Sequence, residues 1–292
     1  MKTILLAILT WFQTPGRQVI PINQDWSFKK IDSLAADSAC LVSLPHTWNN
    51  HDMQMGRDFY QGKGQYTKTI DVSPAWKDKR VFIKFEGVGA VADVFVNNVF
   101  IGEHKGAYSA FVFEIGNALR FDTVNTIVVI ADNKARPDVI PINHFLFGVY
   151  GGIYRPAELI VTDKLNIAAT DDASPGIYIS QDNVSKKSAD ITVLTKVENK
   201  YAQGQHATLQ TQVLDMTGKL VTQTTGDYWI STQGTQRYIQ HLRLDDPHLW
   251  QGMDDPYLYK VVVSILRNDS LIDRVVQPLG IRKFELTKGQ GI

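Results

Sequence analysis

Hydrophobic and polar residues alternate with a period of two along much of the chain, which is typical of strands with one buried face. The clearest hairpin prediction lies around Asn97-Asn98, since asparagine tolerates the positive φ angles that a tight turn requires. No segment carries a convincing helical stripe, and the best helix candidate is the short stretch 31–39. Strands of the first half are predicted from Lys79 onward, at residues 81–85, 92–96, 99–104, 109–115 and 126–131.

A second set of strands follows the polar stretch 170–176, where we expect a domain boundary. The alternation there predicts strands around residues 191–197, 207–213 and 257–265, with a turn from Asp215 to Gly218. About seven short strands in roughly 110 residues are typical of an immunoglobulin-like sandwich, although the Cys-Trp-Cys pattern of true immunoglobulin domains is absent. The pattern therefore predicts two all-β domains in series.

Composition narrows the classes of partner. The 292 residues include 30 Lys plus Arg and 30 Asp plus Glu, and this balance argues against nucleic acid or an anionic membrane as a partner. Cys40 is the single cysteine, so an internal disulfide and a zinc site of paired cysteines are excluded. The hydrophobic fraction of 44% is sufficient for a sizeable core.

The amino terminus is similar to a secretory signal. Met1 and Lys2 precede an apolar stretch from Ile4 to Phe12, which is too short to span a bilayer and is followed by no clean cleavage site. We expect residues 1–16 to be a signal peptide that directs export to the periplasm or the extracellular space. The alternative is a buried first strand.

Candidate catalytic and metal-binding residues are sparse. Hydrolysis of a glycosidic bond needs two carboxyl groups about 5 to 10 Å apart, but turns explain aspartate pairs such as Asp171-Asp172 more simply than calcium binding does. The histidines lack the spacing of a zinc protease, and no nucleotide-binding loop is present. We predict no metal and no cofactor. Four of the six glutamates alternate within predicted strands as solvent-facing residues would, and a structural role explains these residues better than a catalytic one. The six are Glu86, Glu103, Glu114, Glu158, Glu198 and Glu285.

Aromatic residues at positions typical of exposed loops suggest sugar binding, because an aromatic face can stack on the C–H surface of a sugar. The alternative is that most of them belong to the core. These residues are Trp48, Tyr60, Tyr66, Tyr108, Tyr150 and Tyr154.

A series of motifs in order and at matching spacing resembles the amino-terminal sugar-binding domain of glycoside hydrolase family 2, followed by the end of that family's immunoglobulin-like second domain. The resemblance covers nearly everything after the signal-like segment. The motifs are Pro45-His46-Thr47-Trp48-Asn49, residues 60–68, Phe85-Glu86-Gly87-Val88, residues 94–98 with Gly102 to Phe111, Ala131-Asp132-Asn133, Ile140-Pro141, residues 150–155, Leu249-Trp250, residues 255–259 and residues 280–284.

The resemblance implies a jelly-roll, galactose-binding-like sandwich at residues 17–168 and an immunoglobulin-like sandwich at residues 169–285. Residues 286–292 would begin the connection to a (β/α)₈ barrel, which holds both catalytic glutamates in the family and which this sequence does not reach. We therefore expect a truncated product or fragment that supports a barrel active site and is inactive alone. Carbohydrate and the barrel are the implied partners, and oligomerisation stays open.

The resemblance also implies candidate site residues. Two loops of the first domain contact the sugar in β-galactosidase-like relatives, and the corresponding positions here are Gln61 and Leu146. Leu146 replaces an aspartate, which argues against a simple galactoside specificity, although Asn143 and His144 on the same loop offer polar groups. Residues assigned to holding the closing loop in shape are Gly151, Gly152 and Arg155.

Two other functions stay open at this point. A carbohydrate-binding, lectin-like module would bind sugar as an isolated chain, because jelly-roll sandwiches host lectins as well as enzyme domains. A β-sandwich adhesion or scaffold protein would instead bind proteins and have no sugar affinity. An accessory part of a glycosidase predicts an unfinished apolar interface at the carboxy-terminal end.

Overall fold

The structure is a computed structural model, and it describes residues 16–32, 38–50, 52, 59–140, 148–284 and 289. In these ranges the chain forms two β-sandwiches in series, with two short 3₁₀ turns at Pro74–Trp76 and Gly116–Ala118. The helix candidate at 31–39 and the predicted signal peptide at 1–16 lie largely outside the described residues. Within those ranges no helix combines the length and the apolar character needed to cross a bilayer.

The first sandwich packs a six-stranded sheet, in the order β3-β2-β4-β9-β6-β7, against a four-stranded sheet, in the order β1-β10-β5-β8. Its core lies between the two sheets and is rich in rings, including Trp26, Tyr66, Phe85 and Phe111. Its strands are β1 Gln18–Pro21, β2 Trp26–Lys30, β3 Cys40–Val42, β4 Lys63–Ile70, β5 Arg80–Phe85, β6 Val91–Val96, β7 Val99–Lys105, β8 Phe111–Glu114, β9 Asn125–Asp132 and β10 Ala157–Thr162.

The predicted hairpin is confirmed. β6 and β7 pair antiparallel, and the turn between them places Asn97 and Asn98 at φ angles of 51° and 66°. Both residues occupy the left-handed region, which asparagine enters more readily than most residues with a side chain.

The second sandwich packs the sheet β15-β14-β17-β18 against a sheet in which β13 pairs with β11, β12 and β16. The predicted alternation is confirmed, since Ile191, Val193 and Val197 on β13 are all buried. Its strands are β11 Leu165–Ile167, β12 Ile177–Asp182, β13 Ser188–Asn199, β14 Gln205–Leu214, β15 Leu220–Ile230, β16 Thr235–Asp245, β17 Tyr259–Arg267 and β18 Ser270–Leu279.

The strands next to the connection between the sandwiches contact both of them. β11 pairs with β13, so the hydrogen bonding of the second sandwich starts at Leu165, ahead of the boundary expected after residue 168. On β5, Phe82 is buried as completely as its neighbours on the core side, because it packs with Ile160 and Ala169 on the opposite face of its sheet. The four-stranded sheet is therefore covered on both faces at this point.

Two buried arginines bridge the sandwiches. Arg80 on β5 donates to Asn166 Oδ1 at 2.9 Å and to Glu198 Oε2 at 2.5 Å, both in the second sandwich, and also pairs with Glu114 of the first. Arg17 donates to both carboxylate oxygens of Asp273, which has no exposed surface. Charges removed from water are stabilised here by close partners, so these contacts hold the two sandwiches together.

Candidate functional site

Three loops meet at one end of the first sandwich, and we call this region the loop junction: residues 46–49, 60–62 and 149–152. Backbone hydrogen bonds join the first loop to the third, from His46 N to the Ile153 carbonyl at 2.8 Å and from Trp48 N to the Gly151 carbonyl at 3.3 Å. Thr47 Oγ1 donates to the same Gly151 carbonyl at 2.8 Å. Segments about 100 residues apart in sequence are thereby fixed side by side.

Two buried asparagines hold the loop junction together. The Asn133 side chain donates to the Val149 carbonyl at 2.8 Å and to Asn49 Oδ1 at 3.2 Å, while its Oδ1 accepts from Gly62 N at 2.9 Å. Asn49 Oδ1 also accepts from Gly151 N at 2.8 Å. Both side chains are essentially inaccessible to solvent, so these bonds satisfy loop amides that water cannot reach.

Close ring packing explains the two glycines of the third loop. The ring of Trp48 stacks on Phe28, with centroids 5.8 Å apart, and lies directly against Gly151, where a Cβ atom would collide with the indole. Gly152 has a φ of 121°, and a Cβ there would come within 2.6 Å of the His46 carbonyl oxygen. Both positions need glycine, one for space and the other for conformation as well.

His46 and Tyr66 form a buried polar pair beneath the loop junction. His46 Nδ1 and Tyr66 Oη lie 2.7 Å apart, and Tyr66 has no exposed surface. Burial lowers the pKa of His46 and raises the pKa of Tyr66, because it disfavours the charged form of each group. Both shifts favour the neutral forms, in which the two side chains can share a hydrogen bond.

Asp32 fastens the second loop from the side of β2. Its carboxylate pairs with Lys134 Nζ at 2.5 Å, accepts from Lys63 N at 2.8 Å and also accepts from the Tyr60 hydroxyl. Burial opposes ionisation of this carboxyl group, but the hydrogen bonds from Lys134 and Tyr60 outweigh that effect and lower its pKa to about 2. Asp32 is thus a fixed anion over the ordinary pH range.

Some of the expected site residues lie in the described part of the chain and others do not. Gln61 is exposed between two fixed neighbours, Tyr60 and Gly62, so its side chain projects from a rigid loop. Arg155 is exposed and lies over the ring of Tyr154 at 5.6 Å. The assignments of a sugar contact to Gln61 and of a structural role to Arg155 stay predictions. Three further expected site residues lie outside the described part of the chain: Asn143, His144 and Leu146.

The aromatic residues do not form one exposed surface. Trp48 and Tyr66 belong to the core, contrary to their exposed-looking positions in the sequence, because both rings pack against Phe28 of β2. Tyr108 and Tyr150 are 58% and 43% exposed. These two are the most exposed of the six rings, while Tyr60 and Tyr154 are partly buried.

The described carboxyl groups do not form an enclosed catalytic pair. Burial and the nearby Glu103 raise the pKa of Asp93, but these residues face each other across β6 and β7, and Glu103 is exposed. Glu198, which we expected on a solvent-facing strand position, is instead buried at 8% exposure because Arg80 pairs with it across the domain interface. The described residues contain no group of three side chains suited to a metal ion.

A cavity of about 860 Å³ lies elsewhere, between β1 and the far end of β4. Its lining is mixed, with apolar residues such as Ile70 and Trp76 and charged residues such as Lys68 and Asp71. At about 3.3 Å per residue, Ile70 lies roughly 23 Å along β4 from the start of the strand at the loop junction. This cleft is therefore separate from Gln61.

The two asparagines that hold the loop junction together were not singled out from the sequence, unlike Gln61, Gly151 and Gly152. Asn49 lies in the motif Pro45-His46-Thr47-Trp48-Asn49, and Asn133 lies in the motif Ala131-Asp132-Asn133. The two asparagines bond to each other although they are 84 residues apart in the sequence. No local pattern links two such positions. Taken together, the site offers a rigid, hydrogen-bonded frame that presents exposed polar and aromatic side chains, which is suited to binding a polar ligand.

Comparison with known proteins places both sandwiches in one family. The model of "Glycosyl hydrolases family 2, sugar binding domain" matches residues 11–163, and that of "Glycosyl hydrolases family 2" matches residues 175–282. A beta-glucuronidase of Bacteroides fragilis is 38% identical over 277 residues, covering 94% of this chain and 39% of the relative. A beta-galactosidase of Thermoanaerobacter pseudethanolicus is 29% identical and is covered over 36% of its length.

Solved structures agree with this assignment. A crystal structure of a Bacteroides fragilis protein, described as a candidate beta-galactosidase, is 51% identical with a TM-score of 0.87, covering 92% of this chain and 42% of that one. A Bacteroides uniformis beta-glucuronidase is 28% identical with a TM-score of 0.83, covering 91% and 32%. The chain thus spans about two fifths or less of the length of these relatives.

Proposed function

Because this chain belongs to glycoside hydrolase family 2, and corresponds to the amino-terminal portion of its glycosidases, we propose that its loop junction forms part of the rim of a barrel active site. The barrel would supply the catalytic carboxyl groups, and this chain would supply shape and polar contacts. The observation that carries the proposal is the network of Asn49 and Asn133, which fixes three distant loops at one end of the first sandwich. A fully hydrogen-bonded buried network makes the loops that it joins rigid, and a binding site requires loops that are held in fixed positions.

The proposed substrate is a β-linked glucuronide or galactoside, the two sugars for which the relatives are named. Gln61 would donate and accept hydrogen bonds to sugar hydroxyls, since its amide has both functions. Tyr150, which packs edge-on against Phe59 with centroids 5.7 Å apart, would present its exposed ring to an apolar sugar face. We also propose export of the protein, on the strength of the signal-like first 16 residues.

A chimera tests this function directly. The chain would replace the corresponding segment of the Bacteroides fragilis beta-glucuronidase, and the fusion would be assayed with chromogenic β-glucuronides and β-galactosides. We expect the folded chimera to hydrolyse at least one of them and the isolated chain to hydrolyse neither. Gln61→Ala in the chimera should raise KM with a smaller change in kcat, as expected when a binding contact is lost.

Two results would contradict the proposal. Turnover by the isolated chain would show that the catalytic groups lie within it. A folded chimera without activity would show that the loop junction does not complement a family barrel. Val276→Ala serves as the matched control, because Val276 is exposed on β18 of the second sandwich and should leave both kinetic constants unchanged.

A further inference from the structure

A second aromatic surface lies on the outer face of the second sandwich. Trp229 on β15 is 56% exposed, although it is one of the largest apolar side chains in the protein. It stands opposite His206 in the register of β14 and β15, and the two rings meet edge to face with centroids 4.7 Å apart. A tryptophan that is held in place by a neighbouring ring, yet exposed on a surface that no described strand covers, is unusual and indicates a binding surface.

The backbone beneath Trp229 is shaped to hold the ring flat. A Cβ atom at Gly204 would collide with carbon atoms of the indole, so the ring lies directly on the glycine backbone. Trp229 therefore presents an apolar face at the protein surface, with the indole N–H as a donor in the same ring.

Polar side chains continue this surface along both strands. Thr208 stands opposite Asp227, and its hydroxyl donates to Asp227 Oδ1 at 2.5 Å. Together with His206 and Asn268 they line a shallow depression of about 230 Å³. A carboxylate, an amide, a hydroxyl and an imidazole beside one aromatic face supply both donors and acceptors for the hydroxyl groups of a sugar.

The row extends beyond the depression. Thr225 stands opposite Gln210, and Gln223 stands opposite Gln212, whose Nε2 donates to Gln223 Oε1 at 3.0 Å. Alternate residues of a strand lie about 6.6 Å apart on the same face, so the polar row runs roughly 20 Å from the tryptophan. A surface of this length matches an extended oligosaccharide better than a single small ring.

Charge selects among ligands. Asp227 is the only acidic residue among the described residues that line the depression, and no lysine or arginine lines it. The nearby Arg267 is directed elsewhere: it lies over the ring of Tyr201 at 5.1 Å and donates to Gln205 Oε1 at 3.1 Å. Within the depression, a uronate or sulfate would meet the Asp227 carboxylate with no lining cation to balance it.

We propose that Trp229, with His206, Thr208, Asp227 and the glutamine row of β14 and β15, forms a binding surface for neutral oligosaccharides. It lies on the second sandwich and is separate from the loop junction of the first. The inference does not depend on the barrel. Such a surface would let the protein bind a polymeric glycan at a place outside any active site.

Affinity electrophoresis tests the proposal with the full chain. Native gels containing soluble β-galactan, arabinogalactan or xyloglucan would be compared with gels containing polygalacturonate as the anionic probe. We expect retardation by at least one neutral polymer and none by polygalacturonate. Trp229→Ala should weaken binding by about tenfold or more, equivalent to about 1.4 kcal/mol, whereas Trp229→Phe should retain most of it.

Matched variants separate this surface from others. Gly204→Ala keeps the tryptophan but displaces its ring, so it should also weaken retardation. Ile239→Ala removes a side chain with similar exposure, 57%, from the other sheet of the same sandwich and should have no effect. Retardation by none of the neutral polymers, equal retardation of the Trp229→Ala variant, or loss of retardation only with Gln61→Ala would each overturn the proposal.

Discussion

The two sandwiches differ in strand length, in the composition of their cores and in how their loops are held. The first has strands of three to eight residues, a ring-rich core and long connections held by buried amides such as Asn49 and Asn133. The second has strands of up to 12 residues, and its core is dominated by aliphatic side chains. Regular hairpins need little besides alternation, whereas loops at a binding site need specific partners for every buried polar group. The first sandwich is therefore organised around its loops, and the second around its sheets.

The largest expected effect tests whether the two sandwiches behave as separate units. Arg80→Met would leave Glu198 buried without its cation, and the loss of one partner from a buried pair destabilises by about 3 to 5 kcal/mol. We expect urea unfolding, followed by tryptophan fluorescence and circular dichroism, to show a lower midpoint and two resolved transitions. The wild-type protein should show transitions that lie closer together.

A double variant supplies the control for this experiment. Arg80→Met with Glu198→Leu removes both charges, so it should recover part of the lost stability. If the single variant unfolded at the wild-type midpoint, Arg80 would not link the sandwiches energetically. If the double variant were no better than the single one, the destabilisation would come from lost packing against Phe82, whose ring lies 4.7 Å from the guanidinium.

The next effect concerns the first sandwich alone. Asn133→Ala would leave the Gly62 amide and the Val149 carbonyl buried without partners, at a cost of about 1 to 3 kcal/mol for each group. We expect a total loss of about 3 kcal/mol in the first unfolding transition and little change in the second. The matched variant is Gln233→Ala, which removes an exposed amide side chain from the second sandwich at a position without a positive φ. Equal losses in the two variants would contradict the contrast between loops and sheets.

How far the sequence predicts the structure differs between the sandwiches for the same reason. The alternation on β13 and β14 and the turn at Asn97-Asn98 are local signals, and all three were predicted. Arg80, Asn133 and Asp32 were not, because each has partners far away in the sequence: Asn166 is 86 residues from Arg80, Asn49 is 84 residues from Asn133 and Lys63 is 31 residues from Asp32. The burial of Trp48 and Tyr66 could not be predicted locally, because neighbouring residues in sequence do not reveal that both rings pack against Phe28 of β2.

Acidification offers a smaller, directional test of the same contrast. Burial lowers the pKa of His46, so near pH 6.5 the unfolded chain binds more protons at this position than the folded protein does. The contribution of neutral His46 is complete above that pH and is lost as the pH falls through it, by up to about 1.4 kcal/mol per pH unit. We expect the first transition to move to lower urea between pH 7 and pH 5. If the urea midpoint of the His46→Gln variant depended on pH as strongly as that of the wild-type protein, the effect would belong to another titrating group.

The smallest effect on stability should come from Gln61, and it separates the frame of the loop junction from the surface that it presents. Gln61 is exposed, while its neighbours Tyr60 and Gly62 carry the hydrogen bonds to Asn49 and Asn133, so Gln61→Ala should change the unfolding free energy by less than about 0.5 kcal/mol. In the chimera the same substitution should still raise KM, since binding depends on what the loop presents and stability on what holds it. A large loss of stability with unchanged KM would reverse these roles, and Gln61 would then belong to the frame.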